Sequence, residues 1–365
     1  MSCDFYALAT PGVRSLHPYE PGKPVSTLER ELGLDDIIKL ASNENALGPS
    51  PAALNAAAQV VAEIHRYPDG NGFELKAALA KRHNVDDSQI TLGNGSNDVL
   101  EFVIRAFATD QHEVVFSEHA FAVYPLVTQS VGATGVAVPA HQYGHDLEAM
   151  AAAVTERTRV LFVANPNNPT GTWCNSQDLR DFIEKLPPHV IVVVDQAYAE
   201  YVADPQYPDC MDWISDHQNM VVTQTFSKAF GLAGLRVGYM VAHKQITELL
   251  NRVRQPFNVN SLALAAAHAA LGDQEHLKLT RNMNDSGLAY LSSEFTRLGL
   301  DYIPSVGNFI CLELPRPGRE IYTQLLHKGV IVRPIDGYGL PMHLRVSVGL
   351  ENENQRFIQA LGEIL

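Results

Sequence analysis

Five consecutive apolar, β-branched residues, Val190-Ile191-Val192-Val193-Val194, run directly into Asp195. A half-solvated strand alternates polar and apolar positions, whereas an uninterrupted run is buried on both faces. That is the situation of a central strand in a parallel sheet with helices above and below. Further short apolar runs bounded by turn residues repeat the theme at 89–92, 113–116, 160–164 and 220–223. Helical patterns, such as 51–64 and 74–83, occupy the chain around them. Strand-then-helix alternation predicts an α/β fold with a mostly parallel central sheet.

At 365 residues the chain exceeds what one hydrophobic core usually spans, so two bodies are expected. Residues 1–45 are rich in turn formers (Pro11, Gly12, Pro18, Pro21, Gly22, Pro24), which predicts an extended arm that ends in part of the smaller domain. A large domain is expected over 46–255. The break Gln255-Pro256-Phe257-Asn258 then opens a small α+β domain over 256–365, with helices at 261–271 and 281–298 and strands at 308–314, 330–333 and 343–348.

Charge narrows the partners. With 27 Lys+Arg against 41 Asp+Glu, the net charge of −14 has the wrong sign for a phosphate backbone or an anionic bilayer, so neither nucleic acid nor membrane is expected. The four cysteines, Cys3, Cys174, Cys210 and Cys311, are scattered without a C-x-x-C pair. No apolar run approaches the roughly 18 residues of a membrane span, and the N-terminus lacks a signal-peptide pattern. A cytoplasmic protein is the expectation.

In an open parallel sheet, ligands bind beyond the carboxyl ends of the strands, so the residues after each apolar run carry the information. After 89–92 comes Gly93-Asn94-Gly95-Ser96-Asn97-Asp98, a glycine turn that delivers a helix N-terminus suited to phosphate, or a plain turn capped by Ser96. After 160–164 comes Asn165-Pro166-Asn167-Asn168-Pro169-Thr170-Gly171, denser in turn formers than a simple connection needs. Asp195 at the mouth of a buried strand requires a cation or hydrogen-bond donors unless it is a structural cap. After 220–223 comes Gln224-Thr225-Phe226-Ser227-Lys228, then a glycine-rich stretch to Arg236. An amine beside a carboxylate in a semi-buried cleft is a candidate Schiff-base former; a solvated lysine is the plain alternative.

Taken in order, these motifs, with Asp195-x-x-Tyr198 and Ser227-Lys228, resemble the pyridoxal-phosphate aminotransferases of fold type I over nearly the whole chain. Within them, Arg66-Tyr67-Pro68, His17-Pro18-Tyr19, Ala41-Ser42-Asn43-Glu44-Asn45 and His343-Leu344-Arg345-Val346-Ser347-Val348-Gly349 most resemble the histidinol-phosphate aminotransferases. The resemblance implies that Lys228 joins the cofactor covalently and then shuttles a proton. Asp195 would hold the pyridine nitrogen protonated, Asn168 and Tyr198 would bond the cofactor's O3′, and Phe121 would stack on the ring. The phosphate would meet backbone N–H groups of Ser96 and Asn97, the hydroxyls of Thr225 and Ser227, and Arg236. The family often has an acidic residue where Asn97 stands, a departure that leaves backbone donation intact. Tyr67 would reach the phosphate of a neighbouring subunit, making the enzyme a homodimer. Arg345, aided by Arg333 and Tyr19, would bind the anionic end of histidinol phosphate or of glutamate and 2-oxoglutarate.

The same cofactor residues fit an aromatic amino-acid aminotransferase or a phosphothreonine decarboxylase. A cofactor-binding regulatory domain is a further reading, although the arm is too short and Pro-rich for a helix-turn-helix. A metal site is not expected: His141 and His145 are four apart, but Gly144 and the missing carboxylate argue against a helical zinc motif.

Overall fold

The computed structural model describes residues 3–365. Its strands, in chain order, are β1 (Ile38–Lys39), β2 (Ile90–Gly93), β3 (Glu113–Ser117), β4 (Thr134–Val138), β5 (Thr158–Ala164), β6 (Ile191–Asp195) and β7 (Met220–Thr225). The remainder are β8 (Gly238–Ala242), β9 (Tyr302–Ile303), β10 (Phe309–Glu313), β11 (Val330–Ile331), β12 (Arg333–Pro334) and β13 (His343–Ser347). Seven of them form one sheet in the order β2-β8-β7-β6-β5-β3-β4. The Val-rich strand β6 is the middle one, flanked in parallel by β5 and β7. β8 alone runs against the direction of the other six, pairing antiparallel with both β2 and β7.

The two faces of this sheet bury separate apolar clusters. Val192 and Val194 join one, and Val193 joins the other, as the period of two dictates. On the second face lies the helix Ser96–Phe107, whose Val99, Leu100, Val103 and Ile104 form one stripe. Two strands of this sheet are not marked in the sequence pattern. β4 is a mostly exposed edge with Gly135 inside it, and β8 follows a glycine-rich loop without polar alternation.

A second body carries the antiparallel sheet β12-β13-β10-β9 and its own core, including Ile310, Leu312, Leu344, Val346 and Phe357. The break at 255–258 does not end the first core. The helix Ser261–Gly272 presents Ala263, Ala266, Ala267 and Ala270 to the large-sheet cluster, because small side chains allow it to pack closely. The next helix, Gln274–Arg297, starts in that cluster with Leu277 and ends in the other with Leu291 and Phe295. The change of core therefore falls along this helix, not at 256.

The N-terminal stretch is less extended than its composition predicts. Short helices cover Phe5–Leu8 and Pro11–Arg14, and the helix Val25–Leu32 buries Leu28 completely. Strand β1 then pairs in parallel with β11, far along the chain. Among the described residues no helix is long and apolar enough to cross a membrane.

Candidate active site

The carboxyl ends of β5, β6 and β7 open into one cleft, closed from the opposite side by β13 and by the segment Ala41-Ser42-Asn43. Every site residue expected from the sequence lines this cleft except Tyr67. The tyrosine is 83% exposed on its own chain and stacks on Phe257, with ring centroids 4.7 Å apart.

Asp195 ends β6 and is buried. Its Oδ2 accepts a hydrogen bond from the Tyr124 hydroxyl at 2.7 Å, and its Oδ1 accepts from Thr223 Oγ1 at 3.1 Å and the Ala197 N–H at 3.2 Å. Burial raises the carboxyl pKa, and these donors oppose the rise. Tyr124, a residue the sequence did not single out, is itself fixed by stacking on Phe162 at 4.3 Å. Phe121 meets it edge-on and faces the cleft.

Lys228 follows β7. Its amine donates to the Ser42 carbonyl at 3.1 Å and lies 5.6 Å from the centre of the Tyr198 ring. Burial, reinforced by the positive charges of Arg345 and Arg236, pushes its pKa down to about 7, against the pull of Glu44 and Asp195. The amine is therefore divided about equally between its charged and neutral forms at pH 7. Burial also pushes the Tyr198 hydroxyl up to about 12.

At the other end of the cleft the helix Ser96–Phe107 begins, and its first-turn N–H groups have no intrahelical acceptor. Arg236 reaches the same place with Nη1 on Ser227 Oγ at 3.2 Å, and Thr225 Oγ1 accepts from the Ser227 N–H at 3.1 Å. Two glycines keep the space clear. A Cβ on Gly95, whose φ is +83°, would fall on Arg236 Nη2, and one on Gly238 would lie 2.5 Å from the Ser96 nitrogen. A helix N-terminus, two hydroxyls and a guanidinium around such a space make a donor set for a phosphate. With Asp195 and Lys228 further along the same cleft, the residues fit pyridoxal phosphate.

Arg345 projects from β13 opposite the lysine. Nη1 donates to Asn168 Oδ1 at 2.5 Å and Nη2 to the Ala41 carbonyl at 2.8 Å, while the buried Nε has no partner. Arg333 is more open, with its guanidinium 5.3 Å over the half-exposed Tyr19 ring and Nη2 bonded to the Glu20 carbonyl at 2.6 Å. His145 Nε2 donates to the Ala164 carbonyl at 2.8 Å, and no cluster of metal-ligating side chains forms among the described residues.

Comparison with known proteins gives the same direction. Residues 35–361 match the family described as aminotransferase class I and II. The chain is 59% identical over 364 residues to histidinol-phosphate aminotransferase 2 of Pseudomonas aeruginosa, covering 99% of each. It is 56% identical to histidinol-phosphate aminotransferase 1 of Nitrosococcus oceani, covering 99% of this chain and 98% of that one. Among solved structures, the histidinol-phosphate aminotransferase of Sinorhizobium meliloti in complex with pyridoxal-5'-phosphate superimposes with a TM-score of 0.90 at 29% identity, over 97% of this chain and 96% of that one.

Proposed function

Because the chain belongs to the aminotransferase class I and II family, we propose that it transfers the amino group between histidinol phosphate and 2-oxoglutarate, a step of histidine biosynthesis. It is a pyridoxal-phosphate enzyme with the type I fold. Bound in the cleft, the cofactor supplies an electrophilic carbon for amines and a ring that withdraws electrons from the substrate's Cα. The observation that carries the reading is one cleft holding Lys228, the tethered buried Asp195 and a phosphate donor set.

The chain's own residues divide the work. The Ser96 and Asn97 N–H groups, Thr225, Ser227 and Arg236 would hold the cofactor phosphate, and Phe121 would cover one face of the ring. Asp195 would accept from the ring nitrogen. An N–H⁺ there adds to the donors that offset the burial of this carboxylate. Tyr198 and the amide nitrogen of Asn168 would bond the O3′ oxygen, since Oδ1 of Asn168 is already bonded to Arg345. Lys228 Nζ, its pKa lowered to about 7, would be the amine that anchors the cofactor. The same amine would be the base placed to take a proton from the substrate's Cα. Arg345 would bind a carboxylate or phosphate with its unpartnered Nε and remaining N–H groups, with Arg333 and Tyr19 at the mouth.

The working form in this reading is a homodimer, in which Tyr67 completes the partner's phosphate site. Its exposure supports this, as does the exposure of Leu54, Val61, Ile64 and Phe73 in the same stretch of chain. A reducing cytoplasm suits the four free cysteines.

The deciding experiment is a visible spectrum of the cofactor-loaded protein titrated with histidinol phosphate, then with 2-oxoglutarate. The expected result is loss of the long-wavelength band in the first step and its return in the second. A band that responds to phenylalanine or phosphothreonine but not to histidinol phosphate overturns the substrate assignment.

A further inference from the structure

Asn43 carries no role in the reading above, yet it is 1% exposed and holds a left-handed backbone, φ 54°, that few residues other than glycine adopt. Its surroundings explain the conformation. The Asn43 N–H donates to Ser347 Oγ at 2.8 Å, and the Ser347 hydroxyl donates back to Asn43 Oδ1 at 2.9 Å. The Asn43 carbonyl accepts from Asn308 Nδ2 at 3.0 Å, and Asn43 Nδ2 donates to Tyr198 Oη at 3.0 Å.

The polarity of this chain is determined by counting protons. Ser347 is buried with one hydroxyl hydrogen, and Asn43 Oδ1 is the acceptor that hydrogen meets; a flipped amide would leave it without one. That fixes the amide with Nδ2 toward Tyr198. An amide nitrogen only donates, so Tyr198 Oη must accept there, and the phenol hydrogen is left free. In the cleft, Tyr198 can then act as a donor toward an acceptor oxygen.

We propose that Asn43, locked by Ser347, is a positioning residue that sets the donor polarity of the Tyr198 hydroxyl toward the cofactor oxygen. The inference rests on the transaminase reading above. It also links the two bodies, because Ser347 lies on β13 two residues from Arg345, while Tyr198 follows β6.

The test is the pH midpoint of the visible band in the cofactor-loaded protein, together with cofactor affinity. Asn43→Gly removes the side chain and tolerates the backbone angle. The expected result is an upward midpoint shift, by about half to one pH unit for the weakening of one neutral hydrogen bond, a 3- to 10-fold change. Ser347→Ala shifts it in the same direction by less. Tyr198→Phe shifts it at least as far, and adding Asn43→Gly to Tyr198→Phe has no further effect. Lys228, Asp195, Arg345 and Tyr338, the titratable groups facing Tyr198, are intact in the two single variants at 43 and 347.

An Asn43→Gly midpoint equal to that of the wild type overturns the proposal. So does an equal shift in the Tyr198→Phe background, which marks a purely structural effect. If far-UV circular dichroism shows Asn43→Gly to be unfolded, Ser347→Ala with and without Tyr198→Phe decides the matter by the same criteria. A wild-type protein with no visible band after cofactor loading defeats the transaminase reading instead, and the two failures are distinct.

Discussion

Gly95 and Arg236 fit against each other so closely that any side chain at 95 would land on the guanidinium. Gly95 also sits at φ +83°, immediately before the first helical residue, Ser96. Gly95→Ala therefore strains the turn and pushes Arg236 away from the phosphate donors. A loss of about 1–3 kcal/mol is expected, seen as roughly 10- to 100-fold weaker binding of pyridoxal phosphate by equilibrium dialysis. Unchanged affinity would mean that Arg236 has another position from which to serve the site.

Lys228 makes the stability of the cofactor-free chain depend on pH. Its folded pKa of about 7 lies below the ordinary lysine value of 10.5. Between those limits the unfolded chain holds a proton that the folded chain has released, so the burden of burying this amine eases as pH rises through the window. Below pH 7 the full burden remains. Cofactor-free Lys228→Met is expected to melt above the wild type near pH 7, with the gap narrowing toward pH 10. A gap in melting temperature that stays constant with pH would show that the amine is ordinarily basic.

Arg345 spends two of its nitrogens on Asn168 and Ala41 and keeps Nε free. Arg345→Ala removes a charge-assisted contact that both half-reactions would use. The KM values for histidinol phosphate and 2-oxoglutarate should each rise by about 10- to 100-fold. A rise for one substrate alone would confine the residue to one half-reaction.

Tyr67 tests the dimer. Mixing Lys228→Ala with Tyr67→Ala protein and allowing subunits to exchange gives hybrids in which one of two sites has neither lesion, if Tyr67 acts across the interface. About a quarter of wild-type activity should then return from two impaired parents, as statistical exchange between two-fold partners predicts. No recovery despite exchange, followed by native mass spectrometry, would place Tyr67 outside the partner's site.

The sheet was legible where burial is two-sided. The run 190–194 could only be a central strand, and it occupies the middle position of seven. It was illegible where a strand lies at an edge, as β4 does, or where glycine-rich loops lead straight into it, as with β8. In the cleft, Lys228 and Asp195 stood out because charge at the end of an apolar run demands a reason. Tyr124 did not, because its contact with Asp195 depends on tertiary stacking against Phe162 and has no local signature. Asn43 lay within a motif that supported the family resemblance, but its partners Ser347 and Tyr198 are more than 150 positions away.

Pairing of β1 with β11 has a consequence for the order in which this protein can be completed on the ribosome. Asp195, Tyr198 and Lys228 emerge well before Asn308, Arg345 and Ser347, which hold the wall formed by residues 41–43 alongside Tyr198 and Lys228, and before Ile331, which pairs with the strand preceding that wall. A nascent chain thus has the lysine side of the cleft before it has the arginine side. For that interval β1 has no strand to pair with, and any cofactor captured early is held in a half-built pocket, open to water on its arginine side.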